Sequence, residues 1–410
     1  MHVSDSSSRP LNLPTFLLAI ASALLLICPS SKAGQIDGAL SDLDAFPYVV
    51  GTQTIGPAYQ FTSAPKLIET ADAIRAMGSN TLKFALRPEY FGTAGNIPQR
   101  NPAIHTLTEL VRDEPSHRHV LDMPFANYLM WAYCFTAKPW GDGFEKPDGD
   151  REYQEMYDLT RYLLTTYNGS GKTFYLGNWE GDWALLGHYD ASRDPDPSRI
   201  RRMIDWLTTR QRAVDDAKRD TPHEKVNVYH YVEVNLVQKG MGPAGRSCVT
   251  NDVLPRVNVD YVSYSAYDSL GGDIDKELPS ALAYIESKLP AKAPMSGKRV
   301  FIGEYGFPAA AFGPELQDRK SRQVMVAAMK WGCPFILYWA MYNNEVNPGG
   351  KQAGFWLIDN RGVKQPIYQT HRRYLDWARQ FVADTGRQTG KLPTDRAFRA
   401  AACAQITQLP

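Results

Sequence analysis

Arg299-Val300-Phe301-Ile302-Gly303-Glu304-Tyr305-Gly306-Phe307-Pro308 is the stretch whose reading decides the fold. It opens as an apolar run with the β-branched and aromatic residues of a buried strand, and a glycine breaks it. A carboxylate follows at once, then an aromatic, a second glycine and a proline. An acid where a buried strand ends is costly to hold unless it is paired or chemically employed. Gly303 and Gly306 let the backbone approach a bound molecule closely or take a positive φ. The same pattern suits a strand end whose glutamate only caps the next turn. What the rest of the chain sets beside Glu304 decides between the two.

Outward from this stretch, strand-like and helix-like segments alternate. Strand patterns fall at 46–51, 80–86, 119–124, 173–177, 226–234, 259–265, at the opening stretch itself, and at 334–339. Helical periodicity marks 64–77, 104–111, 151–167, 197–219, 278–289, 318–330 and 366–381. An aromatic segment with Tyr128, Trp131, Tyr133 and Trp140 follows the third strand. Eight strands interleaved with seven helical segments, without a mid-chain linker, imply an α/β fold, a (β/α)8 TIM barrel forming one catalytic domain over 34–382. Residues 383–410 read as a polar C-terminal tail. A doubly wound sheet would bring a glycine-rich phosphate loop after its first strand, and Gly51-Thr52-Gln53-Thr54-Ile55-Gly56 does not match G-x-G-x-x-G.

Charge narrows the partners. Lys and Arg total 45 against 44 Asp and Glu, a net charge of +1, with both signs interspersed. That argues against nucleic acid or an anionic membrane surface as the main partner. The apolar run 16–27 is too short for a membrane span, and Ser31-Lys32-Ala33 offers small residues for processing. Residues 1–33 therefore read as a signal peptide cleaved after Ala33, which implies a secreted or periplasmic protein that leaves the membrane on cleavage. Cys134, Cys248, Cys333 and Cys403 would remain, either as free buried thiols or as one or two disulfides. No Cys/His cluster has metal-ligand spacing, and the pattern calls for no metal or cofactor.

In a β/α barrel the site lies at the C-terminal ends of the strands. Glu180 ends the fourth strand and Glu304 the seventh, and these strands face each other across the barrel. Two carboxyls about 5–5.5 Å apart are the geometry of retaining glycoside hydrolysis. Here the chain resembles the clan A glycoside hydrolases, the (β/α)8 superfamily that includes cellulases and mannanases. Gly303-Glu304-Tyr305-Gly306 is similar to that clan's nucleophile strand, and Leu337-Tyr338-Trp339 to its eighth strand with a sugar-platform tryptophan. Gly354-Phe355-Trp356-Leu357-Ile358-Asp359, Gly362 and Pro366-Ile367-Tyr368 resemble its closing segment. The clan normally sets Asn directly before its acid/base Glu, whereas Trp179 separates Asn178 from Glu180. On a regular strand Asn178 and Glu180 would still share a face. Glu233, mid-strand on the fifth strand, is the rival acid, and burial with a hydrogen-bond partner suits it better.

Supporting residues follow from what the acids need. Glu304 must ionise, so a cation should lie near it. Arg87 ends the second strand, and the resemblance implies an arginine there. Tyr264 or Tyr267 at the end of the sixth strand could donate to Glu304. Glu180 needs a dry setting that raises its pKa, which Trp179 and Trp183 could supply. Asn178 could bond a sugar 2-hydroxyl, and Trp339 could stack beneath a ring. The expected function is a secreted retaining glycosidase acting on an oligo- or polysaccharide with β-linkages. The alternative is a carbohydrate-binding barrel that has lost catalysis.

Overall fold

A computed structural model describes residues 40–92, 97, 99–135 and 138–409. The expected signal peptide, 1–33, lies outside the described residues. Eight parallel strands close into a barrel in chain order: β1 Val50–Gln53, β2 Thr81–Leu86, β3 Asn127–Ala132, β4 Thr173–Gly177, β5 Asn227–Val234, β6 Tyr261–Ser265, β7 Val300–Tyr305 and β8 Ile336–Tyr338. The last seam pairs β8 with β1 through Val50–Ile336 and Thr52–Tyr338. Helices pack around this barrel, so the chain is a (β/α)8 barrel.

Side-chain alternation sorts the strands into two layers. Leu129, Trp131, Tyr175, Tyr231, Phe301, Phe335, Leu337 and Trp339 fill the barrel interior. Residues of opposite parity, such as Phe174, Val232, Tyr264 and Ile302, join the larger core between barrel and helices. Lys83 and Glu233, both of interior parity, are fully buried.

Two expectations change. The third strand is not at 119–124, because Pro115–Asp122 is a helix. Glu114 caps it by accepting from the His117 N–H, Pro115 occupies its first turn, and Ser116, His117, Val120 and Leu121 form the buried face. A 3.6-residue period therefore prevails there. The strand is the run Asn127-Tyr128-Leu129-Met130-Trp131-Ala132, buried on both faces. The segment 383–410, read as a polar tail, instead extends the helix Pro366–Thr389 and carries a second helix, Asp395–Gln408. Thr394 caps the latter, and Phe398, Ala402 and Ile406 repeat every four residues on its buried face. Phe398 packs 5.0 Å from Phe46 and 6.1 Å from Trp377. The four cysteines are free thiols.

Candidate active site

Two departures from regular strand geometry build the site. The first is on β7. Tyr264 pairs with Ile302 and the next residue, Ser265, pairs with Glu304, so Gly303 is an extra residue in the ladder. Such a bulge re-aims the side chain that follows it. Glu304 turns into the barrel, and Tyr305 turns outward against Tyr338, 5.4 Å between rings. Only glycine fits at 303: a Cβ would lie 1.8 Å from Ser263 Oγ and 2.9 Å from Glu233 Oε2.

The second departure follows β4. The strand stops at Gly177, and Glu180 takes φ 21° and ψ 75° at the start of the helix Gly181–Leu186. Non-glycine residues rarely adopt this region. The expectation that Asn178 and Glu180 share a strand face is therefore corrected. Asn178 is buried and donates to the Trp179 carbonyl at 3.1 Å. The Trp179 N–H donates to Tyr133 Oη at 2.9 Å, and its indole reaches the interior cluster, 6.4 Å from Trp131.

The two acids meet through a serine. Ser265 Oγ donates to Glu180 Oε1 at 2.6 Å, and Ser265 is itself the ladder partner of Glu304 on the adjacent strand. Adjacent strands lie about 4.8 Å apart, so Ser265, bonded to the one acid, neighbours the other along the sheet. Both are shielded from water: Glu180 is 9% exposed and Glu304 3%. Burial, with help from the Glu233 charge, pushes Glu180 up to about 7, while the Ser265 hydroxyl and Lys83 oppose the shift. Burial also raises Glu304 well above the carboxylate range. Lys83 pulls it down, and Glu233 and Glu180 push it up.

The cation at Glu304 is Lys83, not Arg87. Lys83 Nζ lies 3.3 Å from Glu304 Oε1, 3.0 Å from Glu233 Oε2 and 2.9 Å from the Gly303 carbonyl oxygen. It also stands 4.7 Å over the Trp131 ring. Arg87 shares its strand-face parity but is four residues further on, roughly 13 Å along an extended chain. There it is half-buried and lines a small cavity of about 60 Å³ with Thr54, Ala85 and Glu89. Lys83 is not among the residues expected at the site, although a lysine inside Thr81-Leu82-Lys83-Phe84-Ala85-Leu86 is a visible signal: a buried strand tolerates a charge only against a partner.

Tyr264 is likewise not at the site. Ser263 and Ser265 take the interior face of β6, which turns Tyr264 outward, where its hydroxyl donates to Asp268 and pairs with Ser269. Tyr267, on the turn Ala266–Ser269, is the tyrosine beside both acids. Burial and the charges of Glu304 and Glu180 raise its phenol well above the ordinary value. Trp339 packs 6.1 Å from Trp131 and donates its indole N–H to Glu345 Oε1 at 3.2 Å. Glu233 is buried and fully hydrogen-bonded.

No family model matches the chain, and no curated protein matches it. Solved structures do. A GH5_18 protein from Streptomyces cattleya, in complex with Manβ1-4GlcNAc, aligns with a TM-score of 0.52 at 13% identity, covering 84% of this chain and 82% of that one. A GH5_18 from Bifidobacterium longum subsp. infantis gives 0.53 at 13%, covering 80% and 78%. A GH5_18 from Bifidobacterium longum subsp. longum, also with Manβ1-4GlcNAc, gives 0.53 at 14%, with the same coverage. At such identity the likeness is one of fold alone, the closed (β/α)8 barrel.

Proposed function

We propose that the protein is an exported retaining glycosidase acting on a β-linked oligo- or polysaccharide. The observation that carries this is that Ser265, bonded to the Glu180 carboxyl, is the ladder neighbour of Glu304, whose carboxylate a lysine contacts. In the first step a Glu304 carboxylate oxygen attacks the anomeric carbon. The bond to the leaving oxygen breaks, and Glu180 gives that oxygen its proton. In the second, Glu180 takes a proton from water, the water oxygen bonds the anomeric carbon, and the bond to Glu304 breaks. Glu180, held near 7, keeps a substantial protonated fraction at neutral pH, as the acid requires. Lys83 favours the ionised form of Glu304 against its burial, and a cationic transition state would favour it further. In this reading Trp179, Trp339 and Tyr267 border the sugar.

The displaced Asn178 favours a second reading, a barrel that binds glycan without cleaving it. One comparison separates them. Glu304→Gln and Glu180→Gln should each abolish release of reducing sugar from β-glycans, while circular dichroism stays that of the parent. Full activity in either variant refutes the assignment, and binding without turnover by the parent supports the second reading.

A further inference from the structure

The double displacement gives Glu233 no step, yet its buried carboxylate accepts three hydrogen bonds. Its Oε1 accepts the backbone N–H of Glu180 at 3.0 Å. Its Oε2 accepts Lys83 Nζ at 3.0 Å and Ser263 Oγ at 2.6 Å. The backbone it grips is the left-handed one at Glu180, and that conformation sets where the Glu180 side chain points. The lysine it grips is the one that touches Glu304. The two ends of β4 and β5 are also pressed together: a Cβ on Gly181 would lie 2.7 Å from the Glu233 carbonyl oxygen. Both oxygens are thus committed, one toward each acid.

We propose that Glu233 is a positioning residue that sets both reacting carboxyls at once, fixing the Glu180 backbone through Oε1 and holding Lys83 at Glu304 through Oε2. This rests on the glycosidase reading above. The rival is a plain structural ion pair with Lys83, which would stabilise the fold and leave the chemistry of Glu180 alone. The groups facing Glu180 are Ser265 from β6, Glu304 from β7, Lys83 from β2, Glu233 from β5, and the indole of Trp183 from its own helix. Tyr267 adds a phenol on which the charges of both acids act. Glu233 is the only one of these that both bonds the Glu180 backbone and carries a charge of the same sign.

Glu233→Gln keeps the shape and removes the charge. A glutamine cannot accept at both positions, so its amide NH₂ must face either Lys83 or the Glu180 N–H. Losing a charge-assisted bond at a site of this kind lowers kcat roughly 10- to 100-fold, with KM little changed. Because the Glu233 charge raises Glu180, the basic limb of the kcat/KM–pH profile should move to lower pH. The Glu180 carboxyl, titrated by 13C NMR in the unliganded protein, should move the same way. Glu233→Asp, which draws the carboxylate back by one methylene but keeps its charge, should recover the pH profile more than kcat. A limb and an NMR titration that stay in place in Glu233→Gln overturn the proposal. If Glu233→Gln does not fold, a Glu233→Asp variant as active as the parent at every pH overturns it. Absence of turnover in the parent defeats the glycosidase reading instead, and the NMR titration still judges Glu233.

Discussion

Lys83→Met should make stability steeply pH-dependent. Lys83 is completely buried, with its Nζ 3.0 Å from Glu233 and 3.3 Å from Glu304. At an effective dielectric of about 20, each contact is worth roughly 5 kcal/mol before desolvation is counted. Desolvation cancels much of that, and removing one partner from a buried pair costs about 3–5 kcal/mol. The methionine fills the space but leaves Glu233 and Glu304 without a cation, so the Glu304 carboxyl, already raised by burial, rises further. A group whose folded pKa is raised contributes its full stability below the unfolded value, about 4.5, and loses it as pH climbs through the folded one. The variant is therefore closest to the parent at pH 5 and furthest at pH 8. We expect a loss of about 3–5 kcal/mol at pH 8, and one at least ~1.4 kcal/mol smaller at pH 5, the equivalent of one further pKa unit. Urea unfolding followed by far-ultraviolet circular dichroism at the two pH values measures both. A loss below about 1 kcal/mol at pH 8, or equal losses at both, would show that Lys83 does not neutralise this cluster.

Two other outcomes follow from the same geometry and from the C-terminal packing. Activity on a β-glycan should fall above pH about 7 as Glu180 gives up its proton, and Ser265→Ala, which removes a bond that lowers Glu180, should move that fall to higher pH; movement to lower pH in the kcat/KM profile contradicts the assignment. Phe398→Ala empties the contact of the last helix with Phe46 and Trp377 and should cost about 3–5 kcal/mol in urea unfolding. A cost below about 1 kcal/mol would mean the C-terminal helix contributes nothing to the domain.

Much of the barrel was legible because its strands are short apolar runs ended by Gly, Pro or a charge. Thr173–Gly177 is read from the sequence with the observed bounds, and Val300–Tyr305 nearly so. The third strand was misplaced because Val120-Leu121 is apolar in either periodicity, and the decisive signal was the cap formed by Glu114 and Pro115 rather than the run itself. The C-terminal helix was hidden by its composition. Its polar residues outnumber the buried face of Phe398, Ala402 and Ile406, and only packing against Phe46 and Trp377 shows that face to be used.

At the site, the facing of β2 and β6 sets Lys83 inside the barrel and Tyr264 outside, against the expectation of Tyr264 at Glu304, while strand order alone puts Glu180 and Glu304 at the ends of β4 and β7. That much is local: it depends on each strand's own sequence and on counting strands. Which groups touch is not local. Lys83 reaches Glu304 across 221 residues of chain, and Ser265 meets Glu180 across 85. The register of the closed barrel, the extra residue at Gly303 and the left-handed backbone of Glu180 decide those contacts, because each shifts a side chain by a residue or turns it to another face. The chain carried the acids and the cation in its sequence, and closure of the barrel chose Lys83 over Arg87 as the cation beside Glu304.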